Sequence, residues 1–382
     1  MPGLGETTAM LTRLRRVSPL TAQGQGVMTP IHAFGDNPGQ LEMLSYVPAD
    51  LAPNAPLVVV LHGCTQTAEA YAAHAGWLTL ADRFGFMVVA AQQTSANNPN
   101  RCYNWFSPED VGRGGGEAAS IAAMVTHAVA THALDAERVF VTGLSAGGAM
   151  AAAMLASYPD LFAGGAVISG LPYGVARNVM DALRVMGRAD GRSASALGAL
   201  VPERGPRQAP PRLSIWHGDA DRTVQSANGH DLAQQWTALH DLPPAPHRVE
   251  RKSYGVRSVW SGPDQVAIEL NLVRGMGHGV PLSTRGADGL GKAAPFMLEA
   301  GISSSSEIVR FWGLAEERSA ATDRRSADLV PDLRSGPEPI EPKDAPLEET
   351  SLGHGVMQAV SQVPKGVQEI IATALRAAGL LK

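Results

Sequence analysis

Cysteine is scarce in this chain: Cys64 and Cys102 are the two among 382 residues. That excludes a disulfide-built scaffold, and no metal-ligand spacing includes either one. Long apolar runs are missing too. Runs such as residues 57–61 and 86–91 fall far short of the roughly 20 residues a membrane-spanning helix needs, so no transmembrane segment is expected. Positive charge is not in surplus. The formal net charge is −5, which argues against a nucleic-acid surface, since that wants a concentrated basic patch. Residues 1–30 carry Arg13, Arg15 and Arg16 without an apolar stretch behind them. Sec export is therefore not read here, and the N-terminus as written implies a cytoplasmic chain. What the sequence does hold is 45% hydrophobic residues, ample for one large domain with a tail.

The most informative segment is Val139-Phe-Val-Thr-Gly143-Leu-Ser145-Ala-Gly147-Gly148. A β-branched and aromatic run ends in Gly-x-Ser-x-Gly and passes straight into the Ala-rich stretch 149–156. Strand, sharp turn and helix turn a loose pattern into a nucleophile elbow. The glycines are required because so tight a turn leaves no room for neighbouring β-carbons. The turn lifts the Ser145 hydroxyl above the sheet, and the following helix aims its first N–H groups at charge developing there.

Serine is a weak nucleophile without a base, and the base needs an anion to fix its tautomer. In this kind of site they follow in the order acid, then histidine. Arg212-Leu-Ser-Ile-Trp-His217-Gly-Asp219-Ala-Asp221 reads as a buried strand opening into an acidic loop, with Asp221 favoured over Asp219 because Val224 anchors the return. Gly275-Met-Gly-His278-Gly279 places a histidine in a glycine-flanked loop after a strand-like run. The predicted set is Ser145, Asp221 and His278. The strand Leu57–Leu61 runs into His62-Gly63-Cys64-Thr65-Gln66, the place for an oxyanion hole built from the amides of Cys64 and Ala146. His62 is read as a structural link to a neighbouring loop. No cofactor or metal is implied.

These pieces, with Tyr103-Asn-Trp-Phe106, Ser169-Gly-Leu-Pro-Tyr173 and Ser214-Ile-Trp-His-Gly218, resemble the esterase/polyhydroxybutyrate depolymerase family. They are most similar to the catalytic domain of short-chain-length polyhydroxyalkanoate depolymerases, a group related to feruloyl and acetylxylan esterases. The resemblance spans about residues 30 to 314. It implies an α/β-hydrolase fold, serine-esterase chemistry and a polyester or oligoester substrate, with release of a 3-hydroxy acid or short oligomer. It also implies a secreted protein, although no Thr-rich or fibronectin-like linker and no separate polymer-binding module is present. For Cys64 and Cys102 two states stay open. They are free thiols in a reducing cytosol, or a bridge tying the 101–106 loop to the oxyanion loop, which the family's habit of secretion favours. A carbohydrate-ester hydrolase or an acyltransferase would share every one of these residues.

Alternating β and α segments predict a mostly parallel sheet with helices on both faces and a cap-like insertion after the sixth strand. Strands are expected at 40–47, 57–61, 86–91, 138–142, 164–169, 212–216 and 266–273. Helices are expected at 68–84, 115–133, 147–158, 228–239 and 303–313. The expected domains are an N-terminal extension over 1–29 and a catalytic domain over 30–314, in which 170–211 forms the cap. Met180, Leu183, Val185 and Met186 of the cap, with Trp105 and Trp260, are candidates for an apolar acyl-binding surface. Residues 315–352 are rich in charge, Ser and Pro and read as a disordered linker. Over 353–382, Val367, Ile370, Ile371, Ala374, Leu375 and Ala378 return to helical spacing. That helix has two readings: it docks on protein, or it adheres to a polymer granule.

Overall fold

The computed structural model describes residues 27–203, 209–286 and 289–315. The extension read at 1–29 is therefore described only from Val27. The linker from residue 316 and the helix read at 353–382 lie outside the described residues. In chain order the strands are β1 (Thr29–Ile31), β2 (Glu42–Tyr46), β3 (Leu57–Leu61), β4 (Met87–Gln92), β5 (Val139–Leu144) and β6 (Gly164–Ile168). They continue with β7 (Arg212–Gly218), β8 (Arg248–Lys252), β9 (Gly255–Ser261), β10 (Val266–Val273), β11 (Val280–Leu282) and β12 (Met297–Glu299). The helices are α1 (Ala68–His74), α2 (Trp77–Phe84), α3 (Pro108–Val111), α4 (Gly116–His132), α5 (Ala146–Ser157), α6 (Val179–Gly187), α7 (Ala194–Gly198), α8 (Ala227–Leu239) and α9 (Ser304–Phe311).

Ten strands form one sheet in the order β1-β2-β4-β3-β5-β6-β7-β10-β9-β8. The six from β4 to β10 are parallel, and antiparallel pairs close both edges. Parallel strands joined by helical crossovers are covered on both faces, so their sequences read as unbroken apolar runs. β3 shows the consequence. All five of its residues are buried, yet Leu57, Val59 and Leu61 belong to one core while Val58 and Val60 belong to another. The first core packs under α4, α5 and α8; the second packs under α1, α2 and α9. α5 is buried along its whole length, which only a helix apolar all round can be. Its Ala- and Gly-rich sequence lets it lie close against the sheet.

Three departures from the expected elements have physical reasons. The single helix expected at 68–84 breaks at Gly76, whose φ is 84°. A β-carbon there would lie 2.4 Å from Leu290 Cγ, so the chain breaks where Leu290 packs against it. The β8–β9 hairpin is not visible as a strand pattern because Arg248-Val-Glu-Arg-Lys252 lies at the sheet edge and is mostly exposed. β11 and β12 are three residues each and pair only with one another. At α9 Ser303 caps the helix, its side chain accepting the Ser306 amide.

The turn from β5 into α5 admits no side chain. A β-carbon on Gly143 would meet Gly147 O at 2.3 Å, and one on Gly147 would meet Leu61 O at 2.2 Å. Gly147→Ala is expected to cost at least about 2 kcal/mol of stability by forced overpacking against backbone, read as a lowered melting temperature. Gly187→Ala is the control, because a β-carbon there meets nothing within 4 Å. It should leave stability unchanged or raise it.

Candidate active site

Because β3, β5, β6, β7 and β10 run parallel, the loops at their carboxyl ends open on one edge of the sheet. The elbow after β5 holds Ser145 at φ 59° and ψ −118°, a backbone conformation worth about 1–3 kcal/mol of strain. Its amide donates to Ile168 O at 2.9 Å, and its carbonyl accepts the Ala149 amide at 2.8 Å. Ser145 is thus fixed at the start of α5, nearly buried.

The loop after β7 carries Asp221 and the loop after β10 carries His278. His278 Nδ1–H donates to Asp221 Oδ2 at 2.7 Å; a carboxylate only accepts, so the proton is on Nδ1 and Nε2 is left for other work. Asp221 Oδ1 accepts the amides of Thr223 and Val224, each at 2.9 Å. Burial alone would push this carboxyl up. The nearby His217 imidazole and the hydrogen bonds from His278 and the Val224 amide outweigh burial and hold it well below the usual carboxylate range. Asp219 does something else: its Oδ1 accepts the Gly275 amide at 2.6 Å and ties the acidic loop to the histidine loop. Among the described residues no hydrogen bond joins His278 to Ser145. In free enzymes such bonds are often long and tighten only around substrate.

The loop after β3 presents a free donor. Gly63 N–H donates to Gln66 Oε1 at 2.8 Å and Thr65 N–H to Asn100 O at 2.7 Å, while among the described residues the Cys64 amide between them meets no acceptor. The Ala146 amide, first in α5, has no acceptor within its own helix. Cys64 and Cys102 form a disulfide with Cα atoms 4.3 Å apart, closing 38 residues of chain. By loop-closure entropy such a link restricts the unfolded chain by about 4 kcal/mol. His62, fully buried, bridges the same region. Its Nδ1 is 2.7 Å from Gly63 O and its Nε2 accepts the Gln93 amide at 3.1 Å, so the ring is neutral.

Trp105 packs in one cluster with Ala146, Ala149 and Val224, alongside both cysteines. Trp260 does not reach the site. It is 3% exposed in β9, in the core on one face of the sheet, and its indole N–H donates to Pro244 O. Register decides this, because β9 lies beyond β10 at the antiparallel edge. In the 170–211 insertion, Gln235 of α8 holds both backbone groups of Tyr173 at 2.9 Å. Val185 of α6 packs with Ala146 and Val224, whereas Met180 and Leu183 face outward.

Sequence reasoning missed three residues here. Glu117 accepts from Gln93 Nε2 and from both the backbone amide and side-chain amide of Asn104. It thereby anchors the loop that carries Cys102 and Trp105, and burial pushes its carboxyl up to about 8. His217 Nε2–H donates to Val224 O at 2.8 Å and lies 3.4 Å from Asp221 Oδ2. Phe296 stands edge-on to His278. Of these only His217 carried a signal, four residues ahead of Asp221. Among the described residues no group of three His, Cys, Asp or Glu side chains is placed to hold a metal ion, and no helix is long and apolar enough to cross a membrane.

A mostly parallel, helix-covered sheet with a serine elbow and an Asp–His pair at its carboxyl edge defines a serine-type carboxylic ester hydrolase of the α/β-hydrolase class. The family model described as esterase PHB depolymerase matches residues 41–247, and the chain belongs to that family. It is 41% identical over 303 residues to poly(3-hydroxyalkanoate) depolymerase C of Paucimonas lemoignei, covering 75% of this chain and 70% of that protein. It is 31% identical over 271 residues to acetylxylan esterase A of Aspergillus oryzae, covering 67% and 85%. Among solved structures, acetyl xylan esterase from Aspergillus awamori aligns with a TM-score of 0.64 at 26% identity, over 76% of this chain and 100% of that one.

His62 gives a pH prediction. Burial, helped by the charge of Arg101 and opposed by the bond to Gly63 O, lowers it from 6.5 to about 4. Between those values the unfolded chain binds the proton and the folded chain does not, so stability is full above pH 6.5 and falls as pH drops toward 4. His74 and His230 are lowered as well, chiefly by burial, and act in the same direction. The His62 share is therefore the difference between wild type and His62→Gln. Thermal melts from pH 7 to 4 should show a shallower acid-side loss in the variant.

Proposed function

We propose that Ser145 is the nucleophile, His278 the general base and Asp221 its acid, with the amides of Cys64 and Ala146 as the oxyanion hole. The observation that carries this reading is the 2.7 Å bond from His278 Nδ1 to Asp221 Oδ2 on the sheet edge that also bears the strained Ser145 elbow. In the first step Ser145 Oγ bonds to the ester carbonyl carbon and its proton passes to His278 Nε2. The tetrahedral oxyanion is stabilised by the two amides, each such donor being worth roughly a hundred- to a thousandfold in rate. The ester C–O bond then breaks and His278 returns the proton to the departing alcohol. Water, deprotonated by the same nitrogen, releases the acid.

The substrate we assign is a short-chain polyhydroxyalkanoate such as poly(3-hydroxybutyrate), or its oligomers. Support comes from the 41% identity to a protein named as a poly(3-hydroxyalkanoate) depolymerase. Residues 30–314 are proposed as the catalytic domain, with 170–211 as a cap whose Val185, together with Trp105, lines the Ala146 side of the site. The segment 353–382 is proposed to adhere to the polymer granule.

Turbidity of amorphous poly(3-hydroxybutyrate) granules tests this. Wild type should clear the suspension. Ser145→Ala should lose about a millionfold in turnover and Asp221→Asn about ten-thousandfold. A chain ending at residue 352 should clear granules slowly while hydrolysing soluble esters at the full rate. A folded wild type that hydrolyses acetylated xylan but leaves granules intact would move the substrate to carbohydrate esters.

A further inference from the structure

Phe296 is a non-glycine residue in the left-handed region, at φ 64°. A bulky side chain held there costs on the order of 1–3 kcal/mol and persists only where its surroundings over-determine it. The surroundings are plain. β11 and β12 pair in parallel with Val280 beside Met297, so Phe296 falls next to the segment that carries His278. The Phe296 carbonyl accepts the Val280 amide at 2.8 Å. These constraints fix the backbone without burying the ring, which stays 37% exposed. The ring meets the His278 imidazole edge to face, with centroids 6.1 Å apart and planes at 80°. A turn alone would be better served by Gly or Asn, which tolerate this conformation. A strained backbone, an aromatic ring in solvent and contact with the histidine together indicate a surface kept for a ligand.

The chemistry says which part of the ligand. At the moment the ester C–O bond breaks, the departing oxygen must lie against His278 to receive its proton. A wall beside that histidine therefore flanks the alcohol half of the ester, while the acyl half stays over Ser145. We propose that Phe296 is a specificity-determining residue for the leaving alcohol, its ring covering the next apolar unit of the chain being cut. This rests on the roles given above to Ser145 and His278. It makes an asymmetric prediction: Phe296 contributes to acylation, and contributes nothing once the alcohol has left and water takes its place.

Phe296→Gly and Phe296→Asn test this without a folding penalty, because both residues suit the left-handed backbone and their melting temperatures should equal or exceed the wild type's. Two substrates share one acyl group and differ in alcohol. Methyl 3-hydroxybutyrate releases methanol; the linear 3-hydroxybutyrate dimer methyl ester, followed at its internal ester, releases a second hydroxy ester. In both variants kcat/KM on the internal ester should fall about tenfold and on methyl 3-hydroxybutyrate by less than about twofold. Phe296→Leu should recover most of the difference. An equal fall on the two substrates, or an unchanged ratio between them, overturns the proposal. Failure of the polyester reading is separate and shows in the wild type, as hydrolysis of p-nitrophenyl butyrate without hydrolysis of either hydroxybutyrate ester. The ratio is then read with methyl acetate against an acetylated xylo-oligosaccharide, and the same two outcomes decide for or against Phe296.

Discussion

The contact on which the rest of the site depends is between two backbones. The absent β-carbon of Gly147 lets the first turn of α5 press against the carbonyls of Leu61 and His62 at the end of β3. That contact brings the start of a helix, with its unsatisfied N–H groups, to the loop in which the Cys64 amide is free. It also forces Ser145 into its strained turn. One steric allowance thus locates the serine and both candidate donors, and the wholly buried α5 keeps the arrangement from relaxing.

Around this contact the buried polar groups are arranged to hold the loops in place. Asp221 is held through both oxygens: two backbone amides on one, and His278 with His217 nearby on the other. A carboxylate so furnished keeps its charge although little exposed, and a fixed charge is what an imidazole needs to hold one tautomer. Glu117 performs a comparable task for another loop: three donors, from Gln93 and Asn104, converge on it. The disulfide closes the same loop covalently. Two independent restraints act on the segment facing the candidate oxyanion amide, which fits a site whose function needs donors preorganised before charge develops.

The parts of this molecule that were legible in the sequence are those whose signal is local. The apolar runs at 57–61 and 86–91 identify buried parallel strands because both faces are covered, and Gly-Leu-Ser-Ala-Gly lies between a strand and a helix that each declare themselves. Asp221 and Asp219 could be found as a pair, but what separates them is which one meets His278 and which one ties down Gly275. Those are contacts between loops 56 and 57 residues apart. Trp260 looks like a binding residue in sequence and is core in space, since the side a strand residue faces is set by register with a neighbour far away in the chain. The hairpin of β8 and β9 escaped because an edge strand exposed to water carries charge instead of an apolar pattern. Phe296 gave no sign at all: its meaning comes from a backbone angle and from a parallel pairing of three-residue strands.

The alternation of β3 between two cores has a consequence for how this sequence can change over time. Val59 and Val60 are covalent neighbours, yet each answers to a different set of helices, α4, α5 and α8 for one and α1, α2 and α9 for the other. A substitution on one face creates a volume defect that only that face can repair. The two halves of the core can therefore drift almost independently through generations of compensating changes, while the backbone between them, and the catalytic edge it ends in, stays where it is.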